Sequence, residues 1–246
     1  MKAKHIATVL VLSCSLITYG AARGVIHQLA RPPVPPTLVV LGDSISAGQY
    51  LPDSYDAYPH LLATDLHARL TVYAVPGHTT AQTHSMYTGE LAPSYAVIEL
   101  GTNDYNKGIP LAIFAAAYQS IVASISSATR EVCLSVWDPS NIADTAWSSP
   151  RIPSPVNRVG GSPAAYNAII AQSCRETYLS LQSIYEISTY HGVGASGPLY
   201  HPNIAGDAAI ARLVYSVLQP HIDRPLLNAQ ASPISPAHAS GQFASE

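Results

Sequence analysis

A chain of 246 residues, 48% of them hydrophobic and only 11% charged, is long and apolar enough to fold around a buried core. The low charge argues against a highly charged disordered chain. A formal net charge of −3, with Lys and Arg scattered rather than clustered, argues against a nucleic-acid surface. We therefore expect one globular domain and no nucleic-acid partner.

The N-terminus has the layout of a secretory signal peptide. Residues 1–4 carry positive charge, residues 6–22 contain no Asp, Glu, Lys or Arg, and small residues end the run. Because this length also suits a membrane-spanning helix, residues 1–22 are interpreted as a signal peptide or an N-terminal membrane anchor. A lipoprotein signal ending at Cys14 is a third alternative. All three place the domain outside the cytoplasm, and the second would tether it to a membrane.

Composition marks the boundaries of the domain. Residues 23–36 form a linker, and its last six residues contain four prolines, which favour an extended spacer. The domain is expected to span 37–222. Residues 223–246 belong to a tail rich in Ala, Ser and Pro, for which we predict disorder.

Strands and helices alternate within the domain. In chain order the pattern predicts a strand at 38–41, a helix at 58–70, strands at 71–75 and 95–100, a helix at 111–127, a strand at 131–137, a helix at 163–178, a weak strand near 181–184 and a helix at 204–218. Continuous apolar runs such as 38–41 are typical of strands covered on both faces. Alternation implies parallel strands joined by right-handed crossovers. The expected fold class is α/β, a three-layer α/β/α sandwich.

A long Pro- and Gly-rich loop at 138–161 interrupts this alternation, and loops of that length are often functional. Its Trp147 is interpreted as a packed anchor. Outside the N-terminal segment the chain has two cysteines, Cys133 and Cys174, which form either a disulfide or two separate buried thiols. Neither a CxxC pair nor a Cys/His cluster has zinc spacing, so no metal is expected.

Four short motifs carry the chemistry of this chain. Gly42-Asp43-Ser44, Pro76-Gly77-His78 and Gly101-Thr102-Asn103-Asp104 follow the first three predicted strands, and His201-Pro202-Asn203 opens the last helix. Each motif alone is ordinary turn chemistry. An open α/β sheet keeps its crevice at the carboxyl ends of its strands. Their joint placement there predicts one site with Ser44 as a nucleophile.

In these motifs the chain resembles the SGNH (GDSL-type) serine hydrolase family over about residues 37–220. The resemblance implies a flavodoxin-like parallel sheet and hydrolysis of carboxylic esters, short-chain or glycan O-acetyl, without cofactor or metal. It makes Ser44 the nucleophile and His201 its base, since serine attacks well only when an imidazole takes its proton. The backbone N–H groups of Ser44 and Gly77, with the Asn103 amide, would form the oxyanion hole. The expected partner is a small-molecule or glycan ester.

One position departs from the family pattern. The family has an aspartate three residues before the histidine, and this chain has Pro198 there. Three alternatives remain open: a Ser44–His201 dyad supported by a backbone carbonyl, a triad completed by a distant acid such as Asp138 or Glu186, and a weakened or non-catalytic ligand-binding relative. An acyltransferase using the same residues is a further alternative.

For other polar residues near the motifs, the sequence gives weaker reasons to expect a role in catalysis or substrate binding. Asp43 and Asp104 are expected to organise turns rather than transfer protons. We predict that His78 and His191 are solvent or core residues rather than substrate contacts. The positions that could line the pocket are Tyr105 and Asn106.

Overall fold

The computed structural model describes residues 34–87, 89, 92–137, 161–187, 190 and 201–219. The signal or anchor segment, most of the linker, the tail and the loop at 138–160 lie outside the described residues, as do Asp138, Trp147, His191 and Pro198. The predictions made for those residues stay predictions.

Five parallel strands form the sheet: β1 (Thr37–Gly42), β2 (Arg69–Ala74), β3 (Tyr95–Glu99), β4 (Arg130–Leu134) and β5 (Thr177–Leu179). Their order across the sheet is β2-β1-β3-β4-β5, the order of flavodoxin-like sheets. The predicted α/β sandwich with a flavodoxin-like parallel sheet is confirmed. β1 has β2 on one side and β3 on the other, so the turns after these three strands meet at one edge.

Seven helices accompany the strands in the described ranges: α1 (Tyr58–Asp65), α2 (Thr80–Met86), α3 (Thr102–Lys107), α4 (Leu111–Ser124), α5 (Pro163–Ser173), α6 (Gln182–Tyr185) and α7 (Ile204–Leu218). A short 3-10 helix, Ser54–Asp56, precedes α1. The periodicity did not reveal α2, α3 or α6, which are each seven residues or shorter.

Two apolar cores cover the two faces of the sheet. Successive strand residues point to opposite faces, so Leu38 and Val40 of β1 pack with α1 and α7, while Val39 and Leu41 pack with α4 and α5. All four side chains are at most 1% exposed. This two-sided burial explains why the strand sequence is continuously apolar rather than alternating.

The C-terminal half corrects two sequence predictions. The helix predicted at 163–178 ends at Ser173, and the strand predicted near 181–184 is helix α6 instead. The fifth strand is Thr177–Leu179, which pairs with Val132–Leu134 of β4. The helical pattern of the sequence continues to residue 178, but pairing with β4 makes the residues from Thr177 onward a strand. The helix predicted at 58–70 likewise ends at Asp65, because the chain turns at His67, whose φ is 50°.

A disulfide joins Cys133 of β4 to Cys174, the residue directly after α5. Beside it, the buried Glu131 carboxylate accepts from the Arg175 guanidinium at 2.7 Å. The cross-link and the ion pair fix the end of α5 against the sheet. In the described part of the chain, no helix combines the length and apolar character needed to cross a bilayer.

Asp207 is a buried acid that joins α7 to α1. It is 1% exposed, and its Oδ1 accepts a hydrogen bond of 2.9 Å from the backbone N–H of Tyr58, the first residue of α1. Burial raises the pKa of Asp207 from 3.8 to about 8, with a smaller contribution from Asp56. Because the folded protein binds this proton more tightly than the unfolded chain, stability falls as pH rises from about 4 to about 8.

We therefore expect Asp207→Asn to raise the melting temperature at pH 8 by roughly 5 °C and to flatten its dependence on pH between 4 and 8. The amide oxygen still accepts from Tyr58 N–H, but no buried charge forms. Thermal unfolding followed by circular dichroism at several pH values measures this, with the exposed Asp65→Asn as control. The same pH slope in native and Asp207→Asn protein would contradict the assignment.

Candidate active site

Ser44 lies in a tight turn directly after β1. The turn closes through hydrogen bonds from Ala47 N–H to the Asp43 carbonyl (3.0 Å) and from Gln49 N–H to the Ser44 carbonyl (2.9 Å). Gly42 is required at the end of the strand, because a Cβ there would lie 2.0 Å from the Ser46 hydroxyl. The turn thus holds Ser44, only 6% exposed, at the carboxyl edge of the sheet.

The structure brings His201 to Ser44 across 157 residues of sequence. Its Nε2 lies 2.9 Å from the Ser44 Oγ, within hydrogen-bond distance. His201 stands three residues before α7, whose N-cap Asn203 accepts from the Gly206 N–H at 3.1 Å. The start of α7 therefore sets where the imidazole lies. The predicted pair of nucleophile and base is close enough for proton transfer.

Burial also sets the protonation state of His201. The side chain is 3% exposed, and burial lowers its pKa from 6.5 to about 4. A neutral imidazole can accept a proton from a serine hydroxyl, whereas an imidazolium cannot. His201 is thus in its proton-accepting form at neutral pH.

Gly77 stands in the turn after β2. Its φ of 80° is a conformation that favours glycine, and a Cβ built on it would meet nothing within 4 Å. The Lys107 ammonium of α3 donates to the Gly77 carbonyl, which fixes the orientation of this turn. The space beside the Gly77 backbone is therefore open, and the oxyanion role of Gly77 stays a prediction.

Asn103 lies in the first turn of α3, directly after β3. Its Nδ2 donates one hydrogen bond of 2.9 Å to the Asp43 Oδ2. An amide nitrogen carries two hydrogens, so the second is available for another acceptor. Within the described residues, no group accepts from the backbone N–H of Ser44 or of Gly77. The site offers three donors at the edge that carries Ser44.

Asp43 and Asp104 both organise local structure. Asp43 Oδ1 accepts from the Ile45 N–H at 3.0 Å, which shapes the turn around Ser44. Asp104 Oδ2 accepts from both the N–H and the hydroxyl of Thr80, each at 2.9 Å, and so joins α3 to α2. Both interpretations from the sequence agree with this geometry, although Asp43 also reaches Asn103.

The other residues considered in the sequence analysis differ in how far their side chains are exposed to solvent. Tyr105 is wrong as a pocket residue, because it is 4% exposed and packs in the core against Tyr166 with ring centroids 5.8 Å apart. Its neighbour Asn106 is exposed, and His78 is half-buried beside Gly77. Glu186 is exposed directly after α6. What supports the His201 ring in place of a family aspartate stays a prediction.

Two functional neighbours were missed from the sequence. The Tyr50 ring packs edge-on against the His201 ring, with centroids 4.8 Å apart, and its backbone has a φ of 74°. Nothing in the sequence signals that contact. Glu99, the last residue of β3, is buried behind the Ser44 turn and accepts from the Ser46 hydroxyl at 2.9 Å. The sequence does contain a sign of Glu99, because it is a charged residue within an otherwise apolar strand.

Solved structures share this fold. TesA is 24% identical, with a TM-score of 0.55 over 75% of this chain and 98% of that one. The psychrotrophic esterase EstA from Pseudoalteromonas sp. is 17% identical, with a TM-score of 0.54 over 77% and 100%. The salicylyl-acyltransferase SsfX3 from a tetracycline biosynthetic pathway is 17% identical, with a TM-score of 0.58 over 78% and 56%. At these identities the likeness shows the fold alone.

Comparisons of the sequence, rather than of the fold, give two results. Comparison with curated proteins yields no match. The model of the GDSL-like lipase/acylhydrolase family, however, matches residues 40–209, a span that contains all four motifs. The resemblance found in those motifs is confirmed. The chain belongs to the GDSL-like lipase/acylhydrolase family.

Proposed function

We propose that this protein is an exported serine esterase that cleaves carboxylic esters through an acyl-enzyme on Ser44. The observation that carries the proposal is the distance of 2.9 Å between the Ser44 Oγ and the His201 Nε2. A neutral imidazole beside a serine hydroxyl is the arrangement that activates an otherwise poor nucleophile.

In the acylation step, the Ser44 Oγ attacks the carbonyl carbon of the ester while His201 Nε2 takes the hydroxyl proton. The carbonyl oxygen becomes an oxyanion, which the N–H groups of Ser44 and Gly77 and the Asn103 amide stabilise. When the tetrahedral intermediate collapses, the bond to the leaving oxygen breaks and the imidazolium returns its proton to the alcohol. Fixed donors of this kind cost no reorganisation during the reaction.

Deacylation repeats the sequence with water. His201 takes a proton from the attacking water, the same three donors hold the second oxyanion, and the acid leaves as Ser44 regains its proton. Because position 198 is proline, we propose that a backbone carbonyl accepts the hydrogen on the other ring nitrogen of His201.

Two features support export and a short-chain or glycan O-acetyl ester as substrate. The positively charged start and uncharged run of residues 1–22 have the layout of a secretory signal or anchor. The disulfide between Cys133 and Cys174 suits an oxidising compartment. The substrate class rests on the breadth of the family and on that extracytoplasmic setting.

A fluorophosphonate probe tests the proposal directly. We expect the native protein to gain the mass of one phosphonyl group on the peptide that contains Ser44, because only an activated serine displaces the probe's fluoride. The Ser44→Ala protein is expected to gain none, and intact-protein mass spectrometry with peptide mapping reads both results.

The exposed Ser120 of α4 offers a matched control, since Ser120→Ala should label as the native protein does. Equal labelling of native and Ser44→Ala proteins would remove Ser44 as the nucleophile. Absent labelling of a folded native protein would favour the non-catalytic ligand-binding relative.

A further inference from the structure

Two carboxyl groups lie buried together behind the nucleophile. Asp43 directly precedes Ser44 and is 0% exposed, while Glu99 ends β3, opposite Gly42 in the strand register, and is 2% exposed. Within the described residues, no lysine or arginine forms an ion pair with either. A buried pair of this kind needs another means of limiting its charge.

The hydrogen bonds assign a different role to each group. Asp43 only accepts from its other neighbours, at Oδ1 from the Ile45 N–H and at Oδ2 from the Asn103 amide, as an ionised carboxylate does. Glu99 accepts from the Ser46 hydroxyl at one oxygen, and the strand register places it opposite Gly42, directly beside Asp43. Two ionised carboxylates buried side by side without a cation repel each other strongly, so one of them holds a proton.

We propose that Asp43 and Glu99 share a single proton, which resides on Glu99, and that the charged Asp43 positions the Asn103 amide in the oxyanion hole. Both act as positioning residues, because neither touches the reacting atoms. The role of Asn103 rests on the proposed esterase function. The shared proton does not.

The electrostatics agree with this division. Burial raises the pKa of Asp43 to about 6 and that of Glu99 well above its usual range, and each carboxyl affects the other. Asp43 therefore ionises first, while Glu99 stays neutral. The ionisable groups that interact with one or both carboxyls of the pair are Asp104, Tyr58, Tyr118 and Tyr185. All of them become negative on ionising, so none relieves the repulsion between two charged carboxylates.

Ionised Asp43 is what makes Asn103 a fixed donor. An amide whose nitrogen gives one hydrogen to a carboxylate cannot flip its oxygen into that place without putting two acceptors face to face. The bond is charge-assisted and therefore stronger than one between neutral groups. Protonation of Asp43 removes that preference, so kcat should rise with pH as Asp43 ionises.

The pH dependence of the melting temperature tests whether Glu99 holds the shared proton. The measurement uses the Ser44→Ala protein, so the result does not depend on catalysis. Because Glu99 has a raised pKa in the folded state, its contribution to stability is complete below about pH 4.5 and is lost as pH rises through the raised value. We expect Glu99→Gln, which donates to Asp43 without titrating, to reduce the fall in melting temperature between pH 5 and 8. An unchanged pH slope would overturn the shared proton.

The positioning role is tested on kcat. In the native enzyme we expect kcat to rise through about pH 6, the pKa of Asp43, well above the pKa of about 4 for His201. Asp43→Asn should abolish that rise and lower kcat by about 10- to 100-fold with little change in KM. Glu99→Ala should also lower kcat, and Glu99→Gln should recover most of the loss. The exposed Asp65→Asn serves as control.

An unchanged kcat in Asp43→Asn would overturn the positioning role. If that variant does not fold, the side-chain amide signals of Asn103 in ¹⁵N-labelled Ser44→Ala protein carry the test. They should shift between pH 5 and 7 as Asp43 ionises, and constant signals would overturn the proposal. Turnover that survives in Ser44→Ala would instead refute the esterase function and leave the stability result intact.

Discussion

Replacing Ser44 or His201 by alanine should lower kcat/KM for p-nitrophenyl acetate by about 10⁴-fold or more. Without the hydroxyl no acyl-enzyme forms, and without the imidazole nothing takes the hydroxyl proton across the distance of 2.9 Å. Because the two side chains act as one unit, the double variant should be no slower than the slower single variant. Initial rates followed by release of p-nitrophenolate measure all three.

Matched controls come from the same residue types elsewhere in the fold. Ser120→Ala on α4 and His60→Ala on α1 should keep native rates, since neither residue belongs to the site. Circular dichroism should show that every variant folds. Losses in the two single variants that multiply in the double variant would mean that Ser44 and His201 act separately, against the proposed proton transfer.

Asn103→Ala should lower kcat by about 100- to 1000-fold and leave KM within a few-fold, because an oxyanion donor acts on the transition state far more than on bound substrate. Asn103→Asp should be slower still. In the native protein the Asn103 amide nitrogen lies 2.9 Å from the Asp43 carboxylate. A carboxylate in place of that amide would repel both the Asp43 carboxylate and the oxyanion. Steady-state kinetics with p-nitrophenyl acetate separates kcat from KM.

The control for this prediction is on the same short helix. Asn106 is exposed three residues further along α3, so Asn106→Ala should keep the native kcat. A native kcat in Asn103→Ala would exclude its amide from the oxyanion hole. A rise in KM alone would make Asn103 a substrate-binding residue instead.

The parts of the fold that the sequence predicted are those set by local pattern. Runs such as 38–41 are apolar because both faces of the sheet are covered, and turn residues mark where the strands end. Since parallel strands place their carboxyl ends at one edge, the turns holding Ser44 and Asn103 could be assigned to one site before any coordinates. His201 needed the resemblance to the family as well.

What the sequence could not predict depends on contacts between distant segments. β5 is three residues long and becomes a strand by pairing with β4. The strand predicted near 181–184 is instead the helix α6, Gln182–Tyr185. Tyr50 meets His201 through a backbone conformation that tyrosine rarely adopts. Glu99 is a charged residue in an apolar strand, but its neighbours Asp43 and Ser46 come from a different segment of the chain, so the sequence does not identify them.

The positions of the site residues along the chain determine when the site can be complete. The Ser44 hydroxyl and the proposed oxyanion donors follow β1, β2 and β3 and lie within the first 103 residues, whereas the imidazole stands directly before α7, which follows β5 in the chain. A polypeptide whose last helix has not yet been synthesised therefore carries the proposed oxyanion donors without a proton acceptor. Under the proposed mechanism, ester cleavage starts only after the final helix has docked.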